Sequence, residues 1–240
     1  DRGQCIPQLD SPEKLETLGD RLMYRLVYRN FGDHESLVVN HTVGTEDGSA
    51  ALRWYEVRSP GDSPVIHQQG TYAPDSSFRW MGSMAIDGNG NIALGYSKSS
   101  ATAYPSIAVT GRLAGDPLGT MGAEDVFVAG GGSQVESFSR WGDYSSMSLD
   151  PVDDCTFWYT QEYYANTEAF DFKTRVASFK YPGCTAGPTG TLEGTVTDGA
   201  NPIEGASVTA GESSTTTDAA GHYEMLLPVD TYDMTVTKFG

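Results

Sequence analysis

The sequence RWGDYSSMSLDPVDDCTFWYTQEYY, residues 140–164, contains the pattern that decides the fold. Polar and apolar side chains alternate over residues 144–149, and a second strand-like run covers residues 155–160. Between the two runs stands the polar sequence DPVDD, residues 150–154. Alternation with a period of two, interrupted by Asp and Pro, is typical of antiparallel strands joined by a tight turn. The stretch therefore predicts a β-hairpin.

Part of this hairpin pattern also occurs earlier in the chain. Four residue types recur at a spacing of 63 positions, in the pairs Ser83 and Ser146, Met84 and Met147, Asp87 and Asp150, and Tyr96 and Tyr159. One hairpin used twice at that spacing predicts a blade repeat, and blades of four short strands stack radially in a β-propeller. The sequence therefore predicts an all-β chain with a β-propeller-like region over residues 1–184.

The propeller-like region divides into three units of about 55–63 residues. A closed ring needs at least about four blades. We therefore expect either that part of the ring lies upstream of Asp1 or that the pattern hides one blade.

The composition restricts the class of function. The chain has 32 acidic and 15 basic residues, and a net charge of −17. This charge opposes binding to nucleic acid phosphates or to anionic lipid. No apolar run reaches the roughly 18 residues of a membrane span. We expect an acidic protein that is secreted or exposed at a cell surface, with no nucleic acid partner.

Three cysteines bear on the same prediction. Cys155 and Cys184 lie at opposite ends of one predicted blade, and a disulfide between them would stabilise the fold by about 3–4 kcal/mol. Cys5 is the odd cysteine, which could pair with a segment outside this sequence. The alternative is three buried thiols. Because no CxxC motif is present, a zinc ribbon is not expected.

Further strand patterns cover residues 21–29, 36–43, 51–57, 92–97, 104–110, 125–129 and 173–180. Residues 12–21 form a helical pattern with Leu15 and Leu18 on one side. The sequon Asn40-His41-Thr42 would accept a glycan in a glycosylating host.

After a predicted linker at 185–190, residues 191–240 alternate in short runs that predict a small β-sandwich. The segments GTVTD (194–198), PIEGASV (202–208) and TTDAAGHY (216–223), followed by Leu227-Pro228 and Tyr232, resemble the carboxypeptidase regulatory-like, or prealbumin-like, domain. The resemblance implies a non-catalytic module of secreted and surface proteins. Members of the family run past the strand that ends near Gly240, so the sandwich is expected to be incomplete.

Residues 1–184 resemble a family of large bacterial secreted proteins in which a propeller-like region precedes such a module. The segments RWGDYSSMSLDPVDDCTFWYT, GSMAIDGNGNIALGYS and RLMYRLVYRNFGDHESLVVNHT carry this resemblance, which implies no established activity. Asp150, Thr156 and Trp158 also resemble the Asp-box hairpin of sialidase-like propellers, whose turn is shorter and glycine-centred. An Asp-box is a fold element and implies no sialidase chemistry.

Two acidic turns are candidate calcium sites, because calcium prefers oxygen ligands. The first is DGNGN, residues 87–91, where the alternative is a hairpin turn in which Asn and Gly adopt positive φ. The second contains Asp150, Asp153 and Asp154, whose side chains could instead bond the turn amides. The predicted cofactor is therefore none, with calcium as the alternative.

Two carboxylates near the main hairpin are candidate catalytic groups. Glycosidic cleavage requires two carboxyl groups that face each other across a cleft, and Asp143 and Glu162 are the available pair. Tyr144, Tyr163 and Tyr164 are candidate rings for stacking on sugars. The alternative is solvated carboxylates with tyrosines packed between blades.

Two arginines, Arg79 and Arg140, each precede a tryptophan and could clamp an anionic ligand. They could equally bond backbone carbonyls inside the protein.

Function is predicted as non-catalytic: an extracellular binding or structural module whose partner is a polysaccharide or another protein chain. One alternative is a propeller hydrolase that acts on glycans through Asp143 and Glu162. Another is a processed piece of a large exoprotein that assembles by pairing of exposed strand edges.

Overall fold

A computed structural model of the chain describes residues 3–184, 189–211, 213–229 and 231–238. Among these residues the regular secondary structure consists of β-strands, without helices. This confirms the all-β prediction. The chain divides into two compact units, Asp1–Asp150 with Cys155–Cys184, and Pro151–Asp154 with Thr185–Gly240. The predicted linker falls mostly on residues 185–188, which lie outside the described residues, and the predicted domain bounds stay predictions.

The first unit contains a hairpin and three antiparallel meanders. Its described strands are β1 (Gln4–Gln8), β2 (Ser11–Glu16), β3 (Val27–Asn30), β4 (Glu35–Gly44), β5 (Ala50–Arg58), β6 (Val65–Tyr72), β7 (Phe78–Ile86), β8 (Ile92–Ser100), β9 (Ala103–Arg112), β10 (Asp125–Val128), β11 (Ser146–Leu149), β12 (Phe157–Tyr163) and β13 (Lys173–Phe179). Strands β1 and β2 pair with each other. We call β3–β6 the first meander, β7–β10 the central meander and β11–β13 the third meander. The described strands do not close into a ring.

The central meander is covered on both faces. Successive side chains of a strand point to opposite faces of the sheet, and on β8 both sets are buried. Leu94 packs in a cluster with Trp54 of the first meander, whereas Ala93 packs in a cluster with Tyr159 of the third. The three meanders therefore pack in sequence order, with two apolar layers between them.

A third apolar cluster joins the β1–β2 hairpin to the meanders. Ile6 and Leu15 of the hairpin pack in one cluster with Trp80 of β7. Trp141 and Tyr164 belong to the same cluster, and their rings stack with centroids 5.7 Å apart. This cluster supports the loops on which the candidate site is built.

The repeated hairpin is present, but its register corrects one predicted match. Met84 pairs with Leu94, whereas Met147 pairs with Tyr159. The β11–β12 connection is longer than the β7–β8 connection, so the first strands of the two hairpins keep the 63-residue offset and the second strands do not. Leu94, rather than Tyr96, is therefore the structural equivalent of Tyr159.

In the N-terminal half the predicted helix is wrong, and the first predicted strand is confirmed only in part. Residues 12–21 are not helical; Leu15 is buried between more exposed neighbours on β2, as the period of a strand requires. Residues 21–29 form a strand only from Val27 onward, and Leu22 and Tyr24 in front of it are exposed. The sequon asparagine, Asn40, is 1% exposed, so the folded chain does not present it for glycosylation.

The predicted disulfide is confirmed. Cys155 precedes β12 and Cys184 follows β13, and their sulfur atoms are bonded. The bond closes the third meander at the end where β12 begins and β13 ends. Cys5 is a free cysteine and is exposed.

The second unit contains β14 (Thr189–Thr195), β15 (Ser207–Ala210), β16 (Ser213–Thr216), β17 (His222–Pro228) and β18 (Met234–Thr237). Strands β14 and β17 form one sheet, and β16–β15–β18 form another. Val208, Ala210, Met225 and Leu227 form its buried core, as expected for a small sandwich.

Candidate functional site

Five of the predicted site residues line one cavity of the first unit, which we call the aromatic cavity. It has a volume of about 330 Å³. The predicted residues are Arg140, Asp143, Tyr144, Glu162 and Tyr164. They come from the loop before β11 and from the end of β12. The two candidate carboxylates therefore face a common space.

Aromatic side chains that the sequence analysis did not select complete the lining. Phe138, Phe170 and Phe172 line the cavity and are each more than half exposed. Tyr144 is 91% exposed. Large exposed rings at a concave site are typical of ligand binding, since burying them on a partner is favourable. Phe170 and Phe172 belong to the short sequence EAFDF, residues 168–172, where aromatic and acidic residues stand together outside any predicted strand. That combination is the sequence signal that could have identified them as exposed rings.

The loop before β11 is held in place by buried contacts. Trp141 is 1% exposed, and its Nε1 donates a hydrogen bond of 2.9 Å to Ser97 Oγ. Gly142 follows with a φ of +59°, a conformation that glycine adopts without steric cost. The backbone of Gly142 lies beside the Glu162 carboxylate.

The two carboxyl groups have different environments. Asp143 forms an ion pair with Arg140, and its Oδ1 is buried without a hydrogen-bond partner within the described residues. Burial raises the pKa of Glu162 to about 7; the Gly142 amide lowers it, and the Asp143 carboxylate raises it further. Near neutral pH the Glu162 carboxyl group therefore readily carries a proton.

A second cavity adjoins the first. It has a volume of about 380 Å³ and shares Arg140, Asp143 and Tyr144 with the aromatic cavity. Its other lining includes Arg21 and Tyr24. The Arg140–Asp143 ion pair therefore lines both cavities.

Two of the predicted ligand-binding residues are elsewhere. Arg79 is fully buried and pairs with Asp75 at 2.9 Å and Glu124 at 2.7 Å. Its guanidinium is occupied by protein carboxylates, so it serves the structure and does not clamp a ligand. Tyr163 packs against the apolar cluster between the central and third meanders and does not line the aromatic cavity.

The acidic turns are explained by their own hydrogen bonds. Asp87 Oδ1 accepts from the amides of Asn89 and Asn91 at 2.9 and 2.8 Å, so the candidate calcium loop is an ordered hairpin turn. Asp150 accepts from Trp158 Nε1 at 3.0 Å. Across the described ranges, no three His, Cys, Asp or Glu side chains, including those of Asp150, Asp153 and Asp154, are grouped as a metal ion would require.

The comparisons with known proteins concern the second unit, where the two small sheets enclose one core. Residues 191–240 match the carboxypeptidase regulatory-like domain family. This match agrees with the resemblance that the sequence motifs of the regulatory-like domain indicate. No curated protein and no solved structure matches the chain. Among the described residues, no helix has the length and hydropathy to cross a membrane.

Proposed function

We propose that the chain is an extracellular, non-catalytic module that binds polysaccharide in the aromatic cavity. The observation that carries this proposal is the meeting of exposed aromatic rings with paired polar groups in one concave site. Aromatic faces stack on the apolar faces of sugars, and a few placed carboxylates orient the hydroxyl groups.

The wider setting supports an extracellular polymer as the ligand. The first unit contains the Cys155–Cys184 disulfide, and disulfides form and persist in oxidising compartments. The second unit matches the carboxypeptidase regulatory-like domain, a type of module that occurs in secreted proteins. We further propose that the three meanders are consecutive blades of a propeller-like region in a bacterial secreted protein. Two neighbouring cavities that share lining residues suit a chain of sugars better than a single sugar.

A panel of insoluble polysaccharides, scored for retention of the protein, tests the binding proposal. Tyr144→Ala and Phe170→Ala should each weaken retention roughly threefold to tenfold, since one aromatic stacking contact contributes about 0.5–1.5 kcal/mol. Tyr28→Ala is the matched control, because Tyr28 is half-exposed and does not line the cavity. Equal retention of all three variants, or no retention of the wild type on any polymer, would overturn the proposal.

A second candidate function, glycan hydrolysis, is favoured by the state of Glu162. A carboxyl group that holds a proton near neutral pH can act as the general acid in cleavage of a glycosidic bond, and a second carboxyl group stands beside it. Release of reducing ends from the same panel tests it. Hydrolysis predicts release by the wild type that Glu162→Gln and Asp143→Asn abolish while retention persists. Retention without release leaves the binding function alone.

A further inference from the structure

A separate, smaller cavity lies at the end of the first unit where β5 and β9 finish. It has a volume of about 120 Å³, and we call it the arginine cavity. Arg58, Arg112, His34, His67 and Glu56 line it. These side chains come from the first and central meanders, and none of them lines the aromatic cavity. In a chain with a net charge of −17, two arginines and two histidines around one space are unusual.

Arg112 is the centre of this cluster. Arg112 is only 3% exposed. One of its terminal nitrogens donates to the Asp116 carbonyl at 2.6 Å, but Nε is buried without a hydrogen-bond partner in the described part of the chain. Arginine stays protonated in proteins, and a buried charge is costly unless it is both paired and hydrogen-bonded. Burial accordingly lowers the pKa of Arg112, although Asp116 and Glu56 act in the opposite direction.

The carboxylates nearby are already engaged. Glu56 accepts from Arg58 Nε at 2.9 Å, from Ser36 at 2.8 Å and from Gln68 at 2.5 Å. Asp116 uses its Oδ2 to accept from the Leu113 amide at 2.8 Å. Arg58 is therefore neutralised by Glu56, whereas Arg112 is bonded only to a carbonyl.

We propose that the arginine cavity binds one oxyanion group, such as sulfate, phosphate or carboxylate. Guanidinium groups bind such oxyanions with paired N–H donors, and His67 adds a ring nitrogen beside them. The volume corresponds to about four water molecules, which suits a small oxyanion and not a sugar ring. The group could be a free ion or an anionic substituent on a polymer.

The test titrates the full chain with sodium sulfate and with sodium phosphate at constant ionic strength, kept with sodium chloride. Anion binding should raise the melting temperature with a saturable dependence, because a ligand of the folded state stabilises it. Arg112→Gln should weaken the apparent affinity at least tenfold. Arg53→Gln is the matched control: it removes the same charge from an exposed guanidinium that bonds Thr71 and lies outside the cavity.

A second measurement keeps the proposal falsifiable if Arg112→Gln does not fold. In the wild type, NMR titration with phosphate should shift the Arg112 Nε–H signal and the ring signals of His34 and His67, and leave the Arg53 Nε–H signal in place. Shifts of equal size at Arg53, or none at Arg112, would overturn the proposal. So would a melting response that Arg112→Gln leaves intact.

Comparing dextran sulfate with uncharged dextran and inorganic sulfate identifies the source of the anion. Tighter binding of dextran sulfate, lost in Arg112→Gln, supports a polymer substituent. Equal affinity for inorganic sulfate, also lost in Arg112→Gln, supports a free ion. Dextran sulfate binding that is unchanged in Arg112→Gln would contradict the site.

Discussion

At residue 162, burial and the neighbouring Asp143 carboxylate both shift the proton-binding equilibrium of the Glu162 side chain. Both favour the protonated form of Glu162, and together they raise its pKa to about 7 despite the Gly142 amide. A group whose pKa is higher in the folded than in the unfolded chain binds more protons when folded. Its ionisation therefore opposes folding as the pH rises.

This linkage gives a prediction for Glu162→Gln. Between about pH 4.5 and about pH 7 the unfolded chain loses this proton while the folded chain keeps it. The wild type should lose stability relative to the variant across this window, by at most about 3.5 kcal/mol, since one pKa unit corresponds to about 1.4 kcal/mol. Urea denaturation from about pH 4 to pH 8 measures it. Glu46→Gln, at an exposed carboxyl, is the matched control. Wild-type and Glu162→Gln curves that stay parallel would contradict the prediction.

Sequence reasoning found the site only in part, for reasons visible at single residues. Asp143 and Glu162 could be selected as carboxylates near one hairpin, but their shared cavity depends on how the loop before β11 folds. Phe138 and Phe170 were missed because exposed aromatics in loops follow no periodic pattern. Arg79 precedes a tryptophan, which made it a candidate, yet it pairs with Asp75, only four residues before it, and with Glu124, 45 residues after it. Only the fold shows that both carboxylates meet one buried guanidinium.

At the scale of the strand, alternation predicted most of the meanders but not their register. Residues 36–43, 51–57 and 173–180 were identified correctly, because one or both faces of these strands carry regular side-chain patterns. Strand β6 was missed, since its sequence VIHQQGTY is mostly polar. Pairing of Met147 with Tyr159 follows from the length of the β11–β12 connection, which composition does not reveal.

Close packing between strands gives a second prediction, at Gly95. A Cβ at this position would lie 2.6 Å from ring carbons of Tyr159, which belongs to the next meander. Gly95→Ala should therefore lower the free energy of unfolding by roughly 1–3 kcal/mol, as overpacked cores do. Gly44→Ala is the control, since nothing lies within 4 Å of its added methyl. Equal stability of the two variants in urea would show that the third meander does not pack as described.

At the scale of the whole molecule, the two units differ in their covalent support. The disulfide lies in the first unit, and residues 191–240 contain no cysteine. Each unit has its own buried apolar cluster. Stability of the two units should therefore respond differently to reducing agents.

Calorimetry with and without a reductant measures that difference. Reduction of Cys155–Cys184 should destabilise the first unit by about 3–4 kcal/mol and lower its melting temperature, while the transition of the regulatory-like domain stays in place. Cys5→Ser should behave as the wild type in both conditions. A reductant that shifts both transitions together, or neither, would contradict this expectation.

The double covering of the central meander has a consequence for amide hydrogen exchange. Strand β8 is paired with β7 and β9, and both of its faces are buried, so solvent reaches its amides only when neighbouring sheets separate. We expect β8 deuterium uptake to require the global opening of the first unit, and β13, a sheet edge with mostly exposed side chains, to exchange through local fraying. Mass spectrometry would resolve the two strands as separate peptides. Comparable uptake in both strands would contradict this expectation.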